Sequence, residues 1–153
     1  MTLLLVRHAD AGDRAAWTGD DTERPLSATG RDQAEALARL HRDIDLERLI
    51  SSPARRCVDT LEPLAAVHGL TVETDDALAE GTAPDVVDRL LRRLSAQDVL
   101  LCSHGDVISA TIKELRRRGD LGVRPEWPKG STWVFDDWPA PTRIDYLPPP
   151  EAG

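Results

Sequence analysis

Short apolar runs without polar alternation constrain the fold of this chain more than any other feature. The runs "LLLV" and "VLLC" are typical of strands that are covered on both faces. Between such runs the sequence takes on helical periodicity, as over residues 28–41, where Ala34, Leu37 and Leu40 share one face. This order predicts an α/β fold, a three-layer α/β/α sandwich with a mostly parallel central sheet. The predicted strands are 2–7, 47–51, 70–74, 98–103 and 131–136.

Four helices are predicted between these strands, and two of them begin with a recognisable cap. Ser52 followed by Pro53 is a capping serine before a proline that a first helical turn tolerates. Asp106 is expected to cap the last helix in the same way. The predicted helices cover about 28–41, a segment from Ser52-Pro53, a segment from near Pro84, and a segment that follows Gly105 and stops near Gly119.

Two segments carry no predicted element. Residues 9–26 form a long polar loop, and loops of that length in compact domains are usually functional or mobile. The final stretch "LPPPEAG" is expected to be extended, with about 148–153 as a flexible tail. Neither a repeat nor a linker divides the sequence, so we expect a single domain over 1–153.

Composition and charge exclude several classes of protein. The formal net charge is -8 and the isoelectric point is about 4.9, which disfavours binding to a nucleic acid polymer. The run Leu3 to Val6 is too short for a signal segment or a membrane span, so no membrane association is expected. Cys57 and Cys102 do not suggest a disulfide framework, and a reducing cytoplasm is the expected location.

Arginine and histidine recur at the predicted strand ends. The first strand ends in Arg7-His8, the second leads into Arg55 and Arg56, and the fourth leads into His104. Ligands of open α/β sheets bind at the carboxyl ends of the strands, and helix N-termini favour anions. Guanidinium groups match the oxygens of a phosphoryl group. The pattern therefore predicts a site for a small phosphorylated substrate.

One of these histidines suits chemistry as well as binding. A free imidazole has a pKa of about 6.5, and neighbouring cations lower it. Beside Arg7 and Arg56, His8 is expected to be neutral at pH 7 with a free lone pair, which is the state that a nucleophile requires.

Three segments together resemble the signatures of the histidine phosphatase (phosphoglycerate mutase-like) superfamily, and in particular its SixA-like branch. They are "LLLVRHADAG", "SSPARRCVDT" and "VLLCSHGD". Arg7-His8 matches the Arg-His-Gly element, with Ala9 at the glycine position. The Ser-Pro-x-x-Arg-x-x-x-Thr element selects Arg56, and Ser-His-Gly selects His104. A narrower resemblance, in "AGDRAAWTGDDTERPL" and "KGSTWVF", is to the C-terminal histidine-phosphatase domain of mycobacterial MutT-type Nudix hydrolases.

The resemblance implies a catalytic mechanism. His8 would attack phosphorus, and Arg7, Arg56 and His104 would hold the phosphoryl oxygens, with no metal or other cofactor required. A carboxylic acid would protonate the leaving oxygen. Family members often place a glutamate after the third strand, which suggests Glu80, while Asp10 and Asp85 remain alternatives.

Other residues have two readings each. Five residues could contact the substrate. Each of them could instead pack within a loop or face solvent; they are Arg14, Trp17, Arg24, Arg55 and Lys129. His41 and His68 are expected at the surface, and Trp133 and Trp138 in the packing. Three alternatives to a phosphohydrolase for small substrates stay open. They are a protein phosphohistidine phosphatase, a non-catalytic phosphate- or partner-binding module, and a metal-binding protein with its site at His8, His104 and Asp106. A homodimer and a separate Nudix partner also stay open.

Overall fold

The computed structural model describes residues 1–118 and 126–151, and in this part of the chain six strands and four α-helices form one layered domain. The strands are β1 (Leu3–Arg7), β2 (Arg48–Ser51), β3 (Val72–Thr74), β4 (Val99–Ser103), β5 (Thr132–Asp136) and β6 (Arg143–Leu147). The helices are α1 (Ala28–Leu40), α2 (Arg55–His68), α3 (Pro84–Arg93) and α4 (Gly105–Arg117).

A single mixed sheet forms the middle layer, with the strand order β3-β2-β4-β1-β5-β6. The four strands from β3 to β1 are parallel to one another, whereas β5 and β6 are antiparallel to their neighbours. The predicted fold class and the mostly parallel sheet are therefore confirmed. The carboxyl ends of β2, β4 and β1 lie side by side, because Arg7 pairs with Ser103 and Ser51 pairs with Cys102.

Both faces of the sheet are covered by helices, as the uninterrupted apolar runs predicted. Leu3 and Leu5 of β1 face a core shared with α3 and α4. Leu4 and Val6 face the opposite core, which is shared with α1 and α2. Successive side chains of a strand point to opposite faces, so a strand with a core on each side needs an apolar residue at every position.

The edge strand β6 was missing from the sequence prediction. Only β5 pairs with it, and its side chains are half-buried or exposed. The segment "RIDYL" mixes charged and apolar residues, as an edge strand does, and therefore lacks the continuous apolar run that marked the inner strands. Leu147, which opened the predicted tail, belongs to this strand.

Both predicted helix caps were wrong. Helix α2 begins at Arg55 with Ala54 at the N-cap and no side-chain cap, so Ser52 lies before the helix. Helix α4 has His104 at its N-cap, and the Asp106 carboxylate instead accepts a hydrogen bond from the Gly81 backbone at 2.8 Å. In each case the side chain bonds to a group outside its own helix.

The long loop over 9–26 has internal structure. It contains two short 3-10 helices, Arg14–Ala16 and Asp21–Glu23, and the aspartate before each helix caps it. The loop is fixed against α1 at Gly30, where a Cβ atom would lie 1.8 Å from the Asp10 carbonyl oxygen. The segment that follows His8 is thus ordered by close contact with a helix.

His41 is buried, which contradicts its predicted place at the surface. It is 1% exposed, and its Nε2 lies 3.0 Å from Thr132 Oγ1. Trp133 and Trp138 pack in the core, as predicted. Two predictions, the end of the last helix near Gly119 and the tail at 152–153, lie outside the described residues. In the described part of the chain no helix is long and apolar enough to cross a membrane.

Candidate active site

The carboxyl ends of three adjacent strands bring the predicted arginines and histidines together. His8 follows β1, Arg56 lies in the first turn of α2 after β2, and His104 follows β4. The backbone itself joins these segments, since His8 N–H donates to Ser103 O at 3.1 Å and Ser52 N–H donates to Cys102 O at 2.9 Å. The imidazoles of His8 and His104 meet with their ring centres 5.4 Å apart.

His8 is held as a neutral imidazole with one nitrogen free. Its Nδ1 lies 2.8 Å from Ala9 O, and because a carbonyl only accepts, Nδ1 must carry the proton. The lone pair is then on Nε2. The pKa of His8 is lowered to about 3, chiefly by burial. The hydrogen bond to Ala9 raises the pKa, but the nearby His104 and Arg56 lower it further. At neutral pH this imidazole is therefore uncharged and has a free lone pair on Nε2.

His104 is oriented by a hydroxyl and a guanidinium. Its Nε2 lies 2.8 Å from Ser52 Oγ, and its Nδ1 lies 3.4 Å from Arg56 Nη2. Guanidinium groups only donate, so Nδ1 accepts and Nε2 carries the proton in the neutral ring. The imidazole is 3% exposed, and these two contacts fix its plane beside His8.

Arg56 is almost fully buried, and two carboxylates balance its charge. It is 1% exposed, its Nη1 donates to Asp21 O at 2.8 Å, and its Nη2 lies 3.1 Å from Asp21 Oδ2 and 3.3 Å from Glu80 Oε2. A buried charge is tolerated where it is paired and hydrogen-bonded. The long loop and the segment before α3 therefore both close over Arg56.

Arg7 and Arg56 keep unused donors at the site. Arg7 Nη1 donates to Trp127 O at 3.0 Å, but within residues 1–118 and 126–151 the buried Nε atoms of Arg7 and Arg56 have no hydrogen-bond partner. An unsatisfied buried donor costs about 1–3 kcal/mol. Arg7 lines the cavity over the site, so an anionic ligand with several oxygens would meet a guanidinium whose hydrogen-bonding capacity is not fully used within the protein.

A cavity of about 330 Å³ opens over these groups, and we call it the histidine cavity. Four cationic side chains and two carboxylates line it, so its local charge is opposite in sign to that of the whole chain. The residues that line it are Arg7, His8, Gly12, Asp13, Arg14, Arg24, Glu80, His104, Gly105 and Lys129.

The three candidate acids lie in different surroundings. Glu80 lines the histidine cavity and pairs with Arg14 at 2.8 Å. Asp10 accepts from Ser27 Oγ at 2.6 Å, a hydrogen bond that holds the pKa of its carboxyl below the usual range, and it does not line the histidine cavity. Asp85 lies on α3 with its side chain 70% exposed. Of these three carboxyl groups, Glu80 is the one that lines the histidine cavity.

The candidate substrate contacts divide into three groups. Arg14 and Lys129 line the histidine cavity. Arg24 also reaches it, but its guanidinium is buried and donates to Ala11 O at 2.6 Å, which fixes the loop. Trp17 lies in a neighbouring groove. Arg55 pairs with Asp59 at 3.4 Å beside a separate groove between α1 and α2, so the solvent-facing reading is the one that the structure favours.

The motif search left out some residues that contact the site. Asp21 pairs with Arg56, and Ser52, which was read as a helix cap, bonds to His104. Gly105 packs against Arg7 so closely that a Cβ atom would lie 3.0 Å from its Cζ. Ser52 and Gly105 lie inside the quoted signature segments, so attention to every polar or small residue there would have found them.

The alternative of a metal site gains nothing from the geometry. In the described ranges, 1–118 and 126–151, no group of three or more histidine, cysteine, aspartate or glutamate side chains is arranged to hold a metal ion. The Arg56 guanidinium lies 3.4 Å from His104 Nδ1, and a cationic group at that distance disfavours a metal ion on the imidazole.

Two facing histidines, a buried Arg56 and a half-buried Arg7 lie at the carboxyl edge of a layered α/β sheet, and such a site suits an enzyme that handles phosphate groups. The model of the Histidine phosphatase superfamily (branch 1) matches residues 3–85, which is more than half of the chain. The protein belongs to this superfamily, as its signature segments predicted.

Two curated relatives are similar over much of the chain. An 8-oxo-(d)GTP phosphatase of Mycolicibacterium smegmatis is 36% identical over 160 residues, which cover 98% of this chain and 49% of that protein. An acid phosphatase of Mycobacterium tuberculosis is 34% identical over 134 residues, which cover 79% of this chain and 61% of that protein. The chain thus spans about half the length of the first relative. The narrower resemblance to Nudix-associated domains stays a prediction.

The fold also matches a solved structure over its whole length. A structure described as the phosphohistidine phosphatase SixA of Agrobacterium tumefaciens superposes with a TM-score of 0.81 at 25% identity, and the match covers 97% of this chain and 98% of that one. The predicted SixA-like architecture is therefore confirmed.

Proposed function

We propose that this chain is a metal-independent phosphohydrolase that removes a phosphoryl group from a small phosphorylated metabolite or nucleotide. The observation that carries the proposal is the state of His8. Its Nδ1 is bound to Ala9 O, its pKa is lowered to about 3, and its free Nε2 belongs to a side chain that lines a cavity of about 330 Å³ with cationic walls. A role in binding alone would not require a neutral nucleophile there.

The reaction proceeds in two displacements. His8 Nε2 attacks phosphorus, and the bond between phosphorus and the leaving oxygen breaks. The bound phosphoryl group displaces the Glu80 carboxylate from Arg56, and Glu80, protonated from solvent, gives the leaving oxygen its proton. The products of this step are the free alcohol or shorter phosphate and a phosphohistidine. Water then attacks the phosphohistidine, transfers a proton to Glu80 and releases inorganic phosphate, which regenerates His8. Covalent catalysis of this kind divides one difficult step into two easier ones.

Positive charge for the transition state comes from the protein. Arg7 lines the histidine cavity and Arg56 Nη2 lies 3.4 Å from His104 Nδ1, and we assign both guanidinium groups to the equatorial phosphoryl oxygens. His104 lies beside His8 and completes the set. Preorganised donors in a site that is mostly closed to water stabilise developing charge strongly. Arginine clamps are one of the usual devices for phosphoryl transfer.

Two substrate classes have support from named relatives. The similarity to an 8-oxo-(d)GTP phosphatase over 98% of this chain favours a nucleotide. The second candidate substrate is a phosphohistidine on a partner protein. The structural match to a SixA phosphohistidine phosphatase, with a TM-score of 0.81, supports it. The walled cavity favours the small substrate, because Arg14, Glu80 and Lys129 surround it with side chains that a free phosphate ester can reach.

The test is phosphate release by the purified chain in the presence of EDTA. The panel contains p-nitrophenyl phosphate, nucleoside mono-, di- and triphosphates, sugar phosphates and a phosphohistidine protein. We expect release that is lost in His8→Ala and kept in His68→Ala, which removes a histidine outside the site. Acid-labile, base-stable labelling of the wild-type protein with radioactive phosphate would identify the phosphohistidine.

Adjacent arginines provide a second matched pair. Arg56→Ala is expected to reduce kcat/KM by at least about 100-fold, since it removes a charged donor from the transition state. Arg55→Ala is expected to have little effect, because Arg55 is half exposed and pairs with Asp59. Equal losses in both variants would contradict the assignment. No release from any substrate by folded protein would favour a phosphate-binding module instead.

A further inference from the structure

A second groove lies next to the histidine cavity, and the reaction proposed above does not use it. It measures about 260 Å³, and we call it the tryptophan groove. Its walls are largely apolar and come from the long loop and the turn before α1. The apolar residues that line it are Ala11, Ala16, Trp17, Pro25 and Leu26.

The tryptophan groove adjoins the histidine cavity. Gly12, Asp13 and Arg24 line both spaces. One ligand could therefore place a phosphoryl group at His8 and extend a second part into the groove without leaving the protein surface.

Trp17 presents a ring that is fixed and yet accessible. It is 36% exposed, which is unusual for a large apolar side chain in this protein. Its indole Nε1 donates to Asp20 O at 3.0 Å, and its backbone N–H donates to Arg14 O at 3.2 Å. Because the only hydrogen-bond donor of the indole is already used, the exposed ring can offer a ligand stacking and apolar contact.

The polar side chains of the groove are also engaged within the protein. Ser27 Oγ bonds to Asp10 and to the Gly30 backbone. Asp13 caps a 3-10 helix through Ala15 N. The guanidinium of Arg24 is held by Ala11 O and Asp21, as described above. A sugar would find few free partners here, whereas a planar ring would find a matching surface.

We propose that the tryptophan groove binds the base of a nucleotide whose phosphoryl group lies at His8, with the base stacked on Trp17. This inference rests on the proposed function and narrows its substrate class to phosphorylated compounds with an aromatic ring. Stacking of a base on an aromatic side chain changes affinity by roughly 10- to 100-fold when the side chain is replaced by alanine.

The test compares two substrates that share one phosphate ester, adenosine 5′-monophosphate and ribose 5-phosphate. We expect wild-type kcat/KM to be about 10- to 100-fold higher for the nucleotide. In Trp17→Ala the ratio of the two values should fall toward one, and in Trp17→Phe it should recover most of its size. Val67→Ala, which removes another exposed apolar side chain far along α2, should leave the ratio unchanged.

A binding measurement separates failure of the inference from failure of the proposed function. Adenosine 5′-monophosphate should quench the fluorescence of Trp17, and the quench should be absent in Trp17→Phe and with ribose 5-phosphate. Quenching without phosphate release would support the groove and reject the hydrolase. Release from both compounds with equal kcat/KM, and no quench, would support the hydrolase and overturn the groove. Release from a phosphohistidine protein alone would overturn it as well.

Discussion

Two buried neutral histidines, His8 and His41, are expected to make the stability of this protein depend on pH below about 6.5. Burial lowers the pKa of His8 to about 3 and that of His41 to about 4. In the unfolded chain both side chains have the ordinary pKa of about 6.5. The unfolded state therefore binds more protons than the native state below pH 6.5, and stability must fall as the pH falls through that value.

The size of the effect follows from the two pKa differences. At pH 5 an unfolded histidine is almost fully protonated, whereas His8 and His41 in the native state are still almost fully neutral. The free energy of unfolding then decreases by about 2 kcal/mol for each histidine, or about 4 kcal/mol in all, at about 1.4 kcal/mol per pH unit. That is a large part of the stability of a typical domain.

Urea unfolding at pH 7.5 and pH 5.0 measures this loss. Carboxylates with lowered pKa values, such as Asp10 and Glu73, stay ionised over the whole interval. Between these two pH values we expect the free energy of unfolding to fall by about 4 kcal/mol in the wild-type protein and by about 2 kcal/mol in His41→Gln. Lys113→Gln is the control, because Lys113 is exposed on α4, and it should show the wild-type loss. A wild-type loss below about 1 kcal/mol would refute the reasoning.

Two glycines give further predictions, one for activity and one for folding. Gly105→Ala would place a Cβ atom 3.0 Å from Arg7 Cζ, so the guanidinium must shift, and we expect kcat/KM to fall about 10- to 100-fold with little change in the urea midpoint. Gly30→Ala would place a Cβ atom 1.8 Å from the Asp10 carbonyl oxygen, which belongs to the backbone and cannot yield easily. We expect it to lower the free energy of unfolding by about 3 kcal/mol, and an unchanged urea midpoint would show that the contact is not tight.

The inner strands and the four residues at their ends could be predicted because each carried a local signal. β1 and β4 are continuous apolar runs with a core on both faces. Arg7 is the last residue of β1, and His8 and His104 directly follow β1 and β4, so the parallel arrangement was enough to bring these side chains to one edge. Strand β6 has a core on one face only, and its mixed composition gave no equally strong signal.

His41 shows how a local pattern can mislead about burial. It follows the last residue of α1, a position that is exposed in most surface helices, and its polarity supported the same reading. In the folded chain Thr132 of β5 lies 3.0 Å from its Nε2, although the two residues are far apart in sequence. Burial at a helix end depends on which strand lies opposite, and that depends on the sheet order.

Asp21 was missed for a more general reason. It precedes Arg56 by 35 positions, and nothing in its own neighbourhood marks it as part of a site. The signature segments identify Arg56 as a free cation for a ligand, but in the folded chain its charge is shared with Asp21 and Glu80 before any ligand arrives. A guanidinium that is 1% exposed without such partners would be strongly destabilising. These carboxylates thus allow Arg56 to be buried at the site. A phosphoryl group that binds at Arg56 must compete with Asp21 and Glu80. The positive charge that the ligand meets therefore depends on contacts from two loops, and no spacing of residues in the sequence encodes these contacts.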